Sequence, residues 1–86
     1  MAKVEIYTTK LCPYCYRAKA LLAQRGIPFH ETDVSFDPEM RRQLLDRTGQ
    51  RTVPQIFIND KSVGGYDDIA ALDRTGKLAD MVAASQ

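Results

Sequence analysis

The 86-residue sequence has no tryptophan, only one histidine and two cysteines, and little excess charge, with 12 basic against 11 acidic residues. This balance gives no indication of the basic stripe that nucleic acid or an anionic membrane surface requires. No apolar run approaches the roughly 20 residues of a membrane-spanning helix. The N-terminus lacks the apolar segment of a secretory signal. We therefore expect one cytoplasmic domain, over 1–86, that binds neither nucleic acid nor membrane.

Two cysteines and one histidine are too few for a self-contained zinc site, which takes about four ligands. His30 is far from the cysteines in sequence, and we expect an ordinary strand residue there. A disulfide between Cys12 and Cys15, three positions apart, would close almost no loop and stabilise the fold little. In a reducing compartment such a pair is more often catalytic, redox-sensing or metal-binding. An iron–sulfur cluster completed by a second chain or a small thiol is the minor metal alternative.

The pattern of residues predicts an α/β fold with the element order β-α-β-α-β-β-α-α. The predicted strands span 4–8, 28–34, 53–58 and 61–64, and the predicted helices span 13–25, 37–47, 67–74 and a last segment around 78–82. Asn59 and Asp60 predict a hairpin turn between the last two strands. Strands separated by a helix prefer parallel pairing with right-handed crossovers. We therefore expect a four-stranded mixed sheet with helices on both faces.

A Cys-Pro-Tyr-Cys motif lies between the first predicted strand and the start of the first predicted helix. Pro13 is in the first turn of that helix, a position that tolerates proline well. The unpaired N–H groups and the positive end of the helix dipole favour a thiolate at Cys12. Cys15, one turn further, is better shielded and can attack a mixed disulfide formed at Cys12. We assign Cys12 as nucleophile and Cys15 as resolving thiol, with Lys10 and Arg17 as nearby positive charges that can assist.

The tripeptide Thr52-Val53-Pro54 precedes a predicted buried strand. A proline at this point has no N–H for the ladder, so it belongs at the start or the edge of a strand. One interpretation is a plain junction between loop and strand. The other is a cis-proline beside the thiol, which leaves the Val53 backbone free to pair with an extended peptide.

The segment Gly64-Gly65-Tyr66-Asp67-Asp68 places two glycines directly before a helix. Glycines let another backbone approach closely, and helix N–H groups can bind a carboxylate. The aspartates can be helix caps and nothing more. Alternatively, Asp68 or the backbone near it meets the amino and carboxylate ends of a small peptide.

Together, the Cys-Pro-Tyr-Cys, Thr-Val-Pro and Gly-Gly-Tyr-Asp-Asp blocks resemble those of glutaredoxins in order and spacing. The resemblance extends from Val4 to Leu78, and the Ala-Ala-Leu-Asp segment at 70–73 is most similar to the short bacterial dithiol class, the glutaredoxin-3 type. It implies a thioredoxin fold, glutathione as electron donor and no tightly bound cofactor. The related thioredoxins usually have Trp-Cys-Gly-Pro-Cys, which a chain without tryptophan cannot form.

The resemblance also implies a set of glutathione contacts. These are Tyr14, Arg41, Thr52, Val53, Pro54, Gly65, Tyr66, Asp67 and Asp68. Tyr14 and the Val53 backbone would hold the cysteinyl part, and the segment 66–68 would hold the γ-glutamyl end. Arg41 would reach the glycine carboxylate, and Pro54 would be cis. The family commonly has a basic residue three positions before the nucleophile, whereas this chain has Thr9 there, followed by Lys10.

The leading hypothesis is therefore a monomeric, glutathione-dependent reductase of protein disulfides and glutathionylated thiols, with ribonucleotide reductase as a protein substrate suggested by the family. A reductase supplied by a flavoprotein, as thioredoxins are, is the first alternative. The missing tryptophan and the glycine–aspartate segment count against it. A module that binds an iron–sulfur cluster between two protomers is the second alternative. Pro13 stiffens the motif and counts against that one.

Overall fold

The computed structural model describes residues 3–83. The elements are β1 (Val4–Thr8), α1 (Pro13–Gln24), β2 (His30–Asp33), α2 (Pro38–Thr48), β3 (Gln55–Ile58), β4 (Lys61–Gly64), α3 (Tyr66–Arg74) and α4 (Lys77–Ala83). This order confirms the predicted succession of strands and helices. No helix in the described range has both the length and the apolar character needed to cross a membrane.

The four strands form one mixed sheet in the order β2-β1-β3-β4. β1 pairs with β2 in parallel and with β3 antiparallel, and β3 and β4 form the predicted hairpin. Thr8 at the end of β1 is in register with Asp33 at the end of β2. The loops that follow these two strands therefore leave the sheet at the same edge.

Successive side chains of β1 and β3 point to opposite faces of the sheet, and each face has its own buried cluster. On one face Ile6, Ile56 and Ile58 pack with residues of α1, α3 and α4. On the other face Tyr7 and Phe57 pack with Val34 and with Leu44 of α2. The ring centroids of Tyr7 and Phe57 are 5.6 Å apart in an edge-to-face arrangement. The prediction of helices on both faces is confirmed.

Two strands are shorter than predicted. β2 covers His30–Asp33 instead of 28–34, and its residues are mostly exposed because it is an edge strand. β3 begins at Gln55 instead of 53, because the Val53–Pro54 peptide bond is cis and proline has no N–H for the ladder. The hairpin turn lies where it was predicted, with Asn59 and Asp60 both at positive φ.

Candidate active site

Cys12 is the N-cap residue of α1, with extended backbone angles of φ −128° and ψ 106°. Its carbonyl accepts the N–H groups of Cys15 at 3.1 Å and Tyr16 at 3.3 Å, so it begins the helical hydrogen-bond ladder. The first turn contains no acidic side chain, and no side chain caps its N–H groups. Cys12 therefore holds the N-cap position beside open helix N–H groups, where the helix favours negative charge.

Cys15 lies one turn further along α1 and is only 1% exposed, whereas Cys12 is partly exposed. The two cysteines are 3.2 Å apart. Burial, followed by a hydrogen bond and charge repulsion from Cys12, raises the pKa of the Cys15 thiol to about 11. A backbone hydrogen bond from Thr9 and the charge of Lys19 act in the opposite direction. Cys15 is therefore a protonated thiol at neutral pH, held next to the sulfur of Cys12.

A groove of about 460 Å³ lies beside this dithiol. The residues that line the groove are Tyr14, Thr48, Gln50, Thr52, Val53, Pro54, Gln55, Ser62, Gly64, Gly65, Tyr66, Asp67 and Asp68. The Cys12 thiol faces the Val53 carbonyl, with 3.6 Å between sulfur and oxygen. Among the described residues, none accepts a hydrogen bond from the Val53 N–H. The backbone of Val53 can thus pair with a ligand next to the reactive sulfur.

The far wall of the groove depends on two glycines. Gly64 has φ +98°, and a Cβ there would collide with the carboxylate of Asp68. At Gly65 a Cβ would lie 3.2 Å from the Pro54 carbonyl oxygen, which is closer than side chains normally pack. The Gly65 N–H donates to Asp68 Oδ2 at 2.9 Å. Asp68 therefore serves as a cap of α3, while Asp67 is exposed at the helix N-terminus.

Two tyrosines face each other across the groove. The rings of Tyr14 and Tyr66 have centroids 6.3 Å apart and are tilted by 38°. Tyr14 is half exposed, and the guanidinium of Arg17 lies over the Tyr14 ring, 5.2 Å from its centroid. Rings of this kind offer a rigid surface on which a peptide or thioether can pack. Arg17 is thus engaged with Tyr14, and its predicted support of the thiolate stays a prediction.

Arg41 and Lys10 lie apart from the groove. Both line a second depression, together with Thr9, Leu11, Ser35 and Phe36. The ammonium of Lys10 lies 5.5 Å from the centroid of the Phe36 ring. The contact of Arg41 with the glycine carboxylate and the support from Lys10 accordingly stay predictions. His30 is exposed on β2, and no group of three or more histidine, cysteine, aspartate or glutamate side chains with metal-binding geometry occurs within residues 3–83.

Sequence reasoning missed the residues that hold the loop leading into Pro54. Gln55 is 5% exposed, and its Nε2 donates to the Gln50 carbonyl at 2.9 Å. Its Oε1 has no partner among the residues described. Thr48 accepts from the Gln50 N–H at 3.0 Å and donates to the Leu44 carbonyl. A polar side chain at the start of the apolar run 55–58 was the one sequence feature that could have revealed this arrangement.

Comparison with known proteins agrees with this geometry. The Glutaredoxin family profile matches residues 4–63. Glutaredoxin 3 of Escherichia coli strain K12 is 50% identical over 78 residues, which covers 91% of this chain and 94% of that protein. The solution structure of glutaredoxin from Brucella melitensis is 51% identical with a TM-score of 0.86, covering 95% of this chain and 89% of the other.

The crystal structure of the buckwheat glutaredoxin–glutathione complex is 33% identical and has a TM-score of 0.90, covering 95% of this chain and 77% of the other. Its similarity extends over the whole sheet and its helices, so the architecture described above is the thioredoxin fold. The chain belongs to the glutaredoxin family of thiol–disulfide oxidoreductases.

Proposed function

We propose that this protein is a monomeric cytoplasmic reductase that uses glutathione to reduce glutathionylated thiols and protein disulfides. The observation that carries the proposal is the pair of thiols at the start of α1, with Cys12 at the N-cap beside the groove and Cys15 buried 3.2 Å away. The buckwheat relative was crystallised with glutathione, which supports the same ligand for this groove.

The first step is the same for both substrate classes. The thiolate of Cys12 attacks one sulfur of the substrate disulfide, a new S–S bond forms and the old one breaks. The departing substrate sulfur leaves as a thiolate and takes a proton. The open N–H groups of the first turn of α1 stabilise the attacking anion. Cys12 is then part of a mixed disulfide.

Glutathionylated substrates follow a branch that needs only Cys12. Attack on the glutathione sulfur releases the substrate thiol and leaves glutathione bonded to Cys12. The thiolate of a second glutathione attacks the bound glutathione sulfur, forming glutathione disulfide and returning the Cys12 thiolate. Each cycle consumes one free glutathione, which leaves as glutathione disulfide together with the glutathione taken from the substrate. Cys15 takes no part in this branch.

Protein disulfides follow a branch that needs Cys15. Its sulfur must lose a proton to solvent base before it attacks the Cys12 sulfur of the mixed disulfide, and the pKa of about 11 keeps the thiolate fraction of Cys15 small at neutral pH. The attack forms the Cys12–Cys15 disulfide and releases the second substrate thiol. Two glutathione molecules then reduce this disulfide and leave as glutathione disulfide. The short distance between the cysteines favours this intramolecular step.

The groove has the polarity and the size for the glutathione tripeptide. Its volume falls within the range of about 300–1,000 Å³ that is usual for small-ligand sites. The free N–H of Val53 and its carbonyl can pair with the cysteinyl residue as an added strand. At the far end, the N-terminus of α3 has no capping side chain on Gly65 and can receive the γ-glutamyl carboxylate. Tyr14 and Tyr66 enclose the space between these ends.

The test is a glutathione-coupled assay on a glutathionylated peptide and on a protein disulfide. Cys12→Ser removes the attacking sulfur and is expected to abolish turnover of both substrates. Cys15→Ser is expected to keep the glutathionylated peptide as a substrate and to lose most reduction of the protein disulfide. Activity of Cys12→Ser at the wild-type level would overturn the assignment. Equal turnover with a thioredoxin reductase in place of glutathione would instead favour the flavoprotein-supplied alternative.

A further inference from the structure

Two large apolar side chains that line one depression near the start of α1 are almost fully exposed. Leu11, which directly precedes Cys12, is 95% exposed, and Phe36 is 87% exposed. Both line the depression of about 440 Å³ that also contains Thr9, Lys10, Ser35 and Arg41. Isolated apolar residues on a surface are ordinary, but two that share one depression beside a reactive sulfur form a potential contact area. These six residues are called the docking surface below.

The docking surface has a defined shape although its residues come from two loops. The parallel register of β1 and β2 sends both loops out at one edge of the sheet. The Lys10 N–H donates to Ser35 Oγ at 2.8 Å, and the Lys10 ammonium lies over the Phe36 ring. Tyr16 donates its hydroxyl to the Lys10 carbonyl at 3.1 Å, which anchors the same loop to α1. The loop that presents Leu11 is thus held in place before a substrate arrives.

The charged groups that line this region are all basic. A neighbouring depression shares Arg41 and adds Arg42, Leu45 and Arg51. Glu39 pairs with Arg42 at 2.9 Å. Within residues 3–83, Lys10, Arg41 and Arg51 have no ion-pair partner. Lys10 also helps to lower the pKa of Asp33, but all three charges can attract negative charge from a partner.

The nearest acidic groups on the same loops are already hydrogen-bonded. Asp33 accepts the Ser35 N–H at 2.8 Å, and the pKa of its carboxyl is lowered by hydrogen bonds from the Ser35 side chain and backbone and, to a smaller extent, by the charges of Lys10 and Lys19. Asp37 caps α2 by accepting the Met40 N–H at 3.0 Å. Both carboxylates accept hydrogen bonds from backbone N–H groups, and neither aspartate lines either depression. The surface presented to a partner combines an apolar pair with positive charge.

We propose that the docking surface binds a segment of the protein substrate that has an apolar side chain and acidic residues close to the reactive disulfide. This inference rests on the proposed function, because it names the class of substrate that Cys12 attacks. An aliphatic or aromatic side chain covers Leu11 and Phe36, while acidic neighbours meet Lys10, Arg41 and Arg51. Glutathione has no apolar side chain to cover this pair, so the pair acts on the protein substrate and not on the electron donor.

Two matched peptides test the proposal, each glutathionylated on its one cysteine. One carries a leucine and two glutamates next to the cysteine, and the other has glutamines in place of the glutamates. Wild-type protein is expected to show a KM about three- to tenfold lower for the acidic peptide at low ionic strength, and the difference should shrink in high salt. The double variant L11S/F36S should raise the KM for the acidic peptide about fivefold, because apolar contact is lost.

Controls separate the docking surface from general effects. The KM of L11S/F36S for glutathionylated 2-mercaptoethanol should equal that of wild type, because a small thiol cannot reach the docking surface. Arg51→Gln should weaken the preference for the acidic peptide about twofold, whereas Lys77→Gln removes the same charge on α4 and should leave it unchanged. Equal KM values of the wild type for both peptides, or an unchanged KM of L11S/F36S for the acidic peptide, would overturn the proposal.

A binding measurement keeps this test independent of catalysis. If glutathione fails to support turnover of glutathionylated 2-mercaptoethanol, the proposed function is wrong. The docking surface is then judged by nuclear magnetic resonance, with the acidic peptide carrying serine in place of cysteine. Saturable shifts of the Leu11 and Phe36 amide signals would support docking. Absence of those shifts, or shifts confined to the groove, would refute it.

Discussion

The groove and the docking surface both adjoin Cys12, but they are made from different parts of the chain. In the groove, most of the binding groups belong to the backbone. They are the open N–H of Val53, the close approach of Gly65 to Pro54 and the N-terminus of α3. In the docking surface, exposed side chains such as Leu11 and Phe36 form the contact area. A backbone site depends on a few glycine and proline positions, whereas a side-chain site can change residue by residue without strain.

This difference fits the two substrates of the proposed reaction. Glutathione is one constant molecule, and a site with the shape of its backbone can serve every reaction cycle. Protein substrates differ in sequence, so the surface that meets them has to select by charge and apolar contact. The difference also divides the chemistry, because the glutathione branch needs Cys12 alone and the protein-disulfide branch needs Cys15 as well.

The largest expected effect concerns the Cys15 step. Because the pKa of Cys15 is raised to about 11, its thiolate fraction is small at neutral pH and grows with each rise in pH below that value. Release of the second thiol from a protein disulfide should therefore accelerate as the pH rises from 7 to 9, by up to about tenfold per pH unit. Rapid-quench single turnovers without glutathione measure both thiols as separate phases.

Part of the rise in the pKa of Cys15 is lost during the reaction. The contributions of Cys12 disappear once its sulfur belongs to a mixed disulfide, but burial, the largest cause, remains. The direction of the pH dependence is therefore the same in the intermediate. Cys15→Ser serves as the control, since it should release the first thiol and never the second. A second phase that is equally fast at pH 7 and pH 9 would contradict the raised pKa.

The next effect separates the groove from the docking surface. In Gly64→Ala, the new Cβ collides with the Asp68 carboxylate, and alanine is strained at φ +98°. We expect the free energy of unfolding to fall by about 2 kcal/mol, from the strained backbone and the lost cap. The KM for glutathione should rise on the order of tenfold, as an anchor of the groove wall moves. Binding of the acidic peptide to the docking surface should not change.

Gly26→Ala is the matched control for this substitution. Gly26 also has a positive φ, of +67°, but a Cβ there has no atom within 4 Å. It lies after α1, far along the chain from the groove. This variant should lose about 1 kcal/mol of stability and keep the wild-type KM for glutathione. A similar rise in KM in both variants would mean that strain alone, and not the shape of the groove, weakens binding.

Local features of the chain could be predicted from sequence because their causes lie within a few residues. Pro13 and Asp37 correctly predicted the starts of two helices, and Asp37 caps α2 as expected. Asn59 and Asp60 adopt the positive φ values of the hairpin turn. The cis bond before Pro54 was one of two interpretations left open, and the structure confirms it. The blocks that line the groove were likewise recognisable as motifs.

Features that depend on distant residues could not be predicted in this way. Leu11 and Phe36 are 25 positions apart, and no local pattern shows that a phenylalanine will be exposed. They meet only because β1 and β2 pair in parallel with Thr8 opposite Asp33. The bond from Gln55 to the Gln50 carbonyl depends on the path of a loop, which propensities do not describe. The length of β2 was overestimated because an edge strand has few ladder bonds.

Arg41 distinguishes the groove from the docking surface. The resemblance to the family implies that Arg41 binds glutathione, whereas in the structure it lines the docking surface. We expect Arg41→Gln to raise the KM for the acidic peptide two- to threefold, in line with the loss of one exposed charge. The KM for glutathione should rise as well if Arg41 makes the glycine-carboxylate contact that the resemblance implies, and should stay the same if Arg41 acts on the protein substrate alone. Arg74→Gln, which removes an exposed guanidinium from α3, should alter neither value. A rise in the glutathione KM alone would assign Arg41 to glutathione, and the positive charge offered to the protein substrate would then come from Lys10 and from Arg51 of the neighbouring depression.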